Sequence, residues 1–408
     1  MATYRELFEV PEFGALFGVA TVQVAASTVQ GLALGTIVYT ITRSPLLASL
    51  AMFGSSFAQV VGALTLLSAA DRVPPRAAML GIGAVFTGTG LLLAVPGLPV
   101  WALLLVTLIA GLGSAAGGGI KWGLLTEILP GGTYILGRSV FNMSVGIMQI
   151  AGFAVSGVLV DLVSPRGALL VAAGLYLAST LATGFAVRAR PPRAAGRPSV
   201  GETLRVNARL WSQPARRYIY LALWVPNGLI VGCEALFVPY STRLASVLFV
   251  ASAGGMLAGD TTMGRFVPSR WRRRLASPLR LLLAAPYLVF VLRPPFAVAV
   301  LAVGIASYGY SASLLLQDRL VAVTPGAIQG QALGLASAGT LTMQAVGAAL
   351  TGAVAQWLAV PVTMTVTAAA SVAVTLALTP GLMQPVRQSQ LVGRSQPVST
   401  QPADPVSS

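Results

Sequence analysis

The sequence predicts an all-α membrane protein whose twelve transmembrane helices form two six-helix bundles related by an internal repeat. Three observations carry this expectation. Of 408 residues, 55% are apolar and only 9% are charged, with a mean hydropathy of +0.80; a soluble domain has about 25% charged residues. Twelve stretches approach or exceed the roughly 20 apolar residues that cross a bilayer. The chain also matches itself at about half its length. Pro130-Gly131 recurs as Pro325-Gly326, Met148-Gln149 as Met343-Gln344, and Gly152 and Gly157 as Gly347 and Gly352, all at a shift of 195. One loop earlier, Val73-Pro74-x-Arg76 recurs as Val267-Pro268-x-Arg270. Repeated halves are how many transporters build two units that rock around a central site.

The predicted spans are 14–40, 46–70, 77–96, 99–120, 139–160 and 167–187 in the first copy. In the second they are 218–240, 244–262, 275–292, 295–316, 331–357 and 361–380. The 44 glycines would weaken soluble helices, but in lipid they let backbones approach closely. The units expected are a first bundle at 1–190, a basic cytoplasmic connector at 191–217, a second bundle at 218–385 and a disordered cytoplasmic tail at 386–408 that is rich in Ser, Gln and Pro.

The net charge is +15, and its distribution sets the orientation. With the N-terminus inside, the outer loops hold only Arg43, Arg166, Arg243 and Arg293, and the remaining 22 of 26 basic residues fall on the inner side. This bias predicts that both termini are cytoplasmic, in a bacterial plasma membrane. Eight arginines between Arg188 and Arg217 should meet anionic lipid headgroups at the inner leaflet. No groove-reading or aromatic basic face marks a nucleic-acid partner. Glu6, Glu9 and Glu12 and the absence of a basic n-region argue against a cleaved signal peptide. Cys233 is the sole cysteine and histidine is absent, so neither a disulfide framework nor a Cys/His metal site is expected.

Local motifs carry a family resemblance. The run Leu67-Ser-Ala-Ala-Asp71-Arg72-Val-Pro-Pro-Arg76 resembles the G-x-L-A-D-R-x-G-R-R signature that follows the second helix of major facilitator superfamily transporters. Asp71, Arg72 and Arg76 match it. Lys121-Trp-Gly-Leu-Leu-Thr-Glu127-Ile-Leu-Pro130 resembles the family stretch after the fourth helix. The run from Trp224-Val-Pro-Asn227 to Glu234-Ala-Leu-Phe-Val-Pro239-Tyr240 is similar to the seventh helix of actinobacterial-type efflux members. Two departures bear on drug:proton antiport. Gly152-Phe153 stands where many such antiporters have Gly-Pro, and Gln329 replaces the basic residue of the tenth-to-eleventh loop.

Among candidate residues, Glu234 is the sharpest. A carboxylate in an apolar span is expensive to ionise, so it is expected to be a proton site or an anchor for a cationic substrate. Its alternative is a carboxyl at the outer mouth paired with Arg43, Arg243 or Arg293. The resemblance implies that Asp71, Arg72 and Arg76 help to gate the cytoplasmic side, with Asp260 as the second-half counterpart by location. Lys121, the only lysine, either snorkels to the interface or forms a breakable salt bridge with Glu127 or Asp71. Arg280 is expected to snorkel. Gln149 and Gln344 either bond across the halves or line the cavity. Gln30, Asn227 and Tyr308 belong to a polar, uncharged set expected on the cavity wall, with Gln23, Gln59, Asn142, Ser307, Tyr310 and Gln317. Gly111-x-Gly113-x-x-x-Gly117 lies in an apolar helix without a preceding strand, so it marks helix packing rather than a nucleotide loop.

The chain lacks a Walker lysine, a nucleophile elbow and a histidine base, so neither an enzyme nor a cofactor is expected. The expected function is secondary transport by one twelve-helix chain acting as a monomer, most simply proton-coupled export of a small neutral or cationic amphipathic molecule. An importer of a neutral nutrient, such as a sugar, and a transport-inactive membrane scaffold stay open.

Overall fold

The computed structural model describes residues 4–65, 73–129, 133–191, 200–325 and 328–383. Among these residues it is helical throughout, without strands. Twelve long helical units follow one another, here α1 to α12, and nine of them are long and apolar enough to cross a membrane.

The first half comprises α1 (Pro11–Thr42), α2 (Pro45–Thr65), α3 (Pro75–Ala94), α4 (Val100–Ile128), α5 (Thr133–Leu162) and α6 (Pro165–Ala186). Proline repeatedly opens these helices, at Pro11, Pro45, Pro75 and Pro165. A first-turn N–H has no partner inside the helix, so proline loses nothing there. The second half comprises α7 (Pro214–Ala235, continued by Phe237–Tyr240), α8 (Ala245–Thr261 with a π turn at Thr262–Phe266) and α9 (Ser269–Leu282, then a 3-10 segment Ala285–Leu292). It continues with α10 (Phe296–Tyr308, a 3-10 turn Gly309–Ser311, then Ala312–Ala322), α11 (Gln329–Val354) and α12 (Val360–Met383).

Helix pairing repeats with the sequence. In the first half α1 packs on α5 and α6, α2 on α4, and α3 on α4 and α6. In the second half α7 packs on α11 and α12, α8 on α10, and α9 on α10 and α12. Adding six to each number converts one set into the other. The two most extensive contacts between the halves, α2 with α11 and α5 with α8, are exchanged by the same operation, and α7 adds smaller contacts to α1 and α2.

The repeated glycines explain why α5 and α11 hold these positions. Gly152 of α5 lies against Thr28 of α1, and Gly347 of α11 against the Gly228 carbonyl of α7. One face further round, Gly157 meets Ser246 of α8, and Gly352 meets Leu46 and Ser49 of α2. Each helix thus uses one glycine to approach its own half and one to approach the other. Side chains at these points would hold the helices apart.

The connector is described in part. Its helix Val200–Ser212 docks on the second half. Trp211 stacks on Trp224 at 5.5 Å and near Tyr220 at 6.3 Å, and Gln331 Nε2 donates to Asn207 Oδ1 at 3.0 Å. At the connector's start, Arg190 forms a bidentate pair with Glu12 of α1 at 2.5 and 2.8 Å. Its Nε lies 3.3 Å from Glu127 at the end of α4. The expected tail 386–408 lies outside the described residues.

Candidate functional site

Two adjoining chambers with a shared wall lie between the halves. The larger, of about 520 Å³, is walled mainly by α1, α2, α3 and α4. The smaller, of about 180 Å³, is walled mainly by α7, α8 and α10. Phe53, Gln149, Phe153, Phe249 and Gln344 belong to both walls. The larger volume lies within the range of small-molecule sites.

The larger chamber extends toward the side that carries the chain ends, since Leu16 and Lys121 line it, near the start of α1 and the end of α4. On the opposite side the halves touch. Gln356 Nε2 donates to Ser44 Oγ at 2.7 Å, and Gly352 presses on the start of α2.

The repeat places Gln149 and Gln344 at the junction of the chambers, on the cavity wall. Phe153, at the position of the sequence departure, stacks on Phe249 of α8 with centroids 4.6 Å apart. An aromatic pair thus spans the halves where the chambers meet.

Glu234 faces the smaller chamber. It is not paired with an outer arginine: Ser252 Oγ of α8 donates to its Oε1 at 2.5 Å. Ser307 Oγ of α10 donates in turn to Ser252 at 3.0 Å. The chain Ser307–Ser252–Glu234 therefore links three helices. Asn227 shares this wall, two turns below Glu234, and its Nδ2 is buried without a hydrogen-bond partner among the described residues.

Several expected residues sit elsewhere. Gln30 is buried but absent from the cavity wall, although Ser27, Thr28, Gly31 and Leu32 of the same turns of α1 line it. Tyr308, midway along α10, packs against the cluster of Met263 and Leu279, whereas Tyr310, in the 3-10 turn, lines the smaller chamber. Trp224 belongs to the connector's aromatic stack, and its Nε1 donates to the Ala336 carbonyl at 2.9 Å. Arg280 does not snorkel: it is 2% exposed and reaches the Thr375 carbonyl at 3.4 Å. Charged side chains reach both walls as well. Lys121 lines the larger chamber and Glu234 the smaller, because the faces of α4 and α7 that carry them turn inward.

Of the expected gate, Asp71 and Arg72 lie outside the described residues. Arg76 donates to the Gly184 carbonyl of α6, a bond within the first half. Glu127 pairs with Arg190. Asp260 is one turn below the wall residue Met256, and its Oδ1 is buried without a hydrogen-bond partner among the described residues. Asn142 has no described side chain. Sequence reasoning missed Ser252, Phe53 and Phe249. The spacing Phe249, Ser252, Ala253, Met256 follows one helical face, but only the fold shows which face meets the cavity. No group of three or more His, Cys, Asp or Glu side chains suited to a metal occurs among the described residues.

Solved structures share this architecture. A POT family transporter in complex with a thioalcohol-conjugated peptide is similar with a TM-score of 0.75 at 13% identity, covering 91% of this chain and 96% of that one. A point mutant of the nucleoside transporter NupG is similar with a TM-score of 0.75 at 14% identity, covering 91% and 99%. A bacterial homolog of the human lysosomal transporter Spinster, in an inward-facing and unoccupied conformation, gives 0.68 at 13% identity, covering 93% and 95%. At these identities the likeness establishes the fold alone. No curated protein matches the sequence. The family model of the Major Facilitator Superfamily matches residues 16–318, which is most of the chain. This multi-pass membrane protein therefore belongs to the Major Facilitator Superfamily, whose members are secondary transporters.

Proposed function

We propose that the protein exports a small amphipathic molecule in exchange for protons, with Glu234 as the titrating group. The observation that carries this reading is the placement of Glu234. Its carboxyl faces a chamber that shares a wall with the larger cavity and is held by a serine from a neighbouring helix. An intramembrane carboxyl in such a place is a proton-site candidate. Alternating access follows from two bundles joined by the symmetric α2–α11 and α5–α8 contacts, with the cavity between them. The reading includes a bacterial plasma membrane, cytoplasmic termini, one chain as the working unit and anionic lipid beside the arginines of the connector.

Inside-out vesicles test it. Respiration acidifies the lumen, and a quenched pH dye reports that while candidate compounds are added. Dye recovery in the wild type that is lost in Glu234→Gln supports proton-coupled export through this residue. Recovery that survives the substitution moves the proton site elsewhere. No recovery across a broad panel favours import or a scaffold role, and uptake assays then separate those two.

A further inference from the structure

The two chambers differ in charge. The larger one carries a single formally charged side chain on its described wall, Lys121, and no carboxylate. Lys121 ends a stripe on one face of α4. Ser114, Gly117 and Lys121 all line the chamber, at the i, i+3 and i+7 spacing of one helical face. A Cβ on Gly117 would meet only Ile82, at 3.5 Å, so the wall above the lysine is recessed. The ammonium lies 5.9 Å from the Phe141 ring centroid.

The repeat shows that the fold does not require a cation here. At the shift of 195, Lys121 corresponds to Leu316, a 3% exposed member of the second-half core. A charge kept inside a membrane protein, on a cavity wall where its counterpart is a core leucine, marks a functional position.

The surrounding groups define what it would hold. Gln23 and Gln59 add amides from α1 and α2, while Phe53, Phe86, Met52 and Met79 supply apolar wall. Arginine forks, which suit phosphate or sulfate, are absent from the described wall. One point charge beside amides and an aromatic surface suits a monoanion on an apolar body.

We propose that the larger chamber binds an amphipathic organic carboxylate, with its carboxylate at Lys121 and its apolar body against the phenylalanines. The proposal rests on the transporter reading of the cavity but not on proton coupling through Glu234, so either can fail alone.

Because Lys121 is the only lysine, its chemistry can be read in the intact chain. The purified full-length protein in detergent is treated with sulfo-N-hydroxysuccinimide acetate, and acetylation of Lys121 is followed by mass spectrometry. Three probes of one shape are compared: 1-naphthylacetate, neutral 1-naphthylacetamide and cationic 1-naphthylmethylammonium. The expected result is that naphthylacetate protects Lys121 at a concentration about tenfold below that needed by the amide, the ratio given by one hydrogen bond to a charged group, and that the ammonium does not protect. In thermal-shift titrations, Lys121→Gln should lose the preference for the acid over the amide and Lys121→Arg should keep it. Equal protection by acid and amide, protection by none of the three, or a lysine that does not react would each overturn the proposal.

Discussion

The two halves share a skeleton but not its regularity. Among the described residues, α1 to α6 each run as one α-helix, whereas α7, α8, α9 and α10 are interrupted: by Leu236, by a π turn at Thr262–Phe266, and by 3-10 segments at Ala285–Leu292 and Gly309–Ser311. Irregular turns re-aim side chains and cluster at functional positions. The break after Ala235 follows Glu234 directly, and the 3-10 turn of α10 swings Tyr310 into the same chamber. The regular half holds the larger chamber and a lysine; the irregular half holds the smaller chamber and a carboxyl. A duplicated scaffold can thus keep its pairing while each copy takes on different chemistry.

The strongest way to break the comparison is to fill one repeated glycine at a time. A Cβ at Gly347 would run into the backbone of α7 at Gly228, whereas one at Gly152 would meet the Thr28 side chain at 2.8 Å. Thr28 Cβ is itself tied to its backbone, but the Gly347 clash is closer and falls directly on main-chain atoms. Gly347→Ala should therefore destabilise by about 3 kcal/mol or more and Gly152→Ala by about 1–2 kcal/mol, the costs of overpacking. Thermal unfolding in detergent checks the order, and equal losses would mean that the two copies pack alike.

A second test concerns the Arg190 contacts that tie the connector's start to α1 and α4. Arg190→Ala leaves Glu12, 8% exposed, without its bidentate partner and should cost about 1.5–3 kcal/mol. Glu127→Gln removes the longer, more exposed contact and should cost no more than about 1 kcal/mol. Stability of the two variants measured side by side ranks the two contacts.

Ser252→Ala sharpens the picture of the second half. It removes the hydroxyl that donates to Glu234, and the proposed antiport rate should fall about tenfold, as expected for a lost hydrogen bond to a charged group. Ser307→Ala acts one step removed and should have a smaller effect; the dye-recovery assay measures both. The smallest effect is expected at the connector. Asn207→Ala loses one hydrogen bond to Gln331, worth about 1 kcal/mol, and a melting curve should show a small downward shift.

Much of this was legible in the chain itself. Twelve spans, the two-copy organisation and the pairing of Gln149 with Gln344 follow from apolar run lengths and a self-match, since lipid imposes helix length and duplication preserves register. The polarity of a residue was legible as well, but not its direction. The side of Gln30 was not legible because α1 is nearly apolar all round and has no hydrophobic stripe to reveal which face meets lipid, core or cavity. Arg280 ends an amphipathic run, and only the packing of α9 on α12 shows that it turns inward to the Thr375 carbonyl.

What the sequence determined alone is the number of crossings, the repeat and the presence of rare intramembrane charges, because each is set by local composition or by copying. What only the tertiary structure decided is which of those charges share a cavity. Lys121 and Glu234 lie 113 positions apart in the sequence, on α4 and α7, and face adjoining chambers. That relation depends on helix rotation, and the rotation is fixed by glycine contacts and helix breaks between distant segments, which no local pattern encodes.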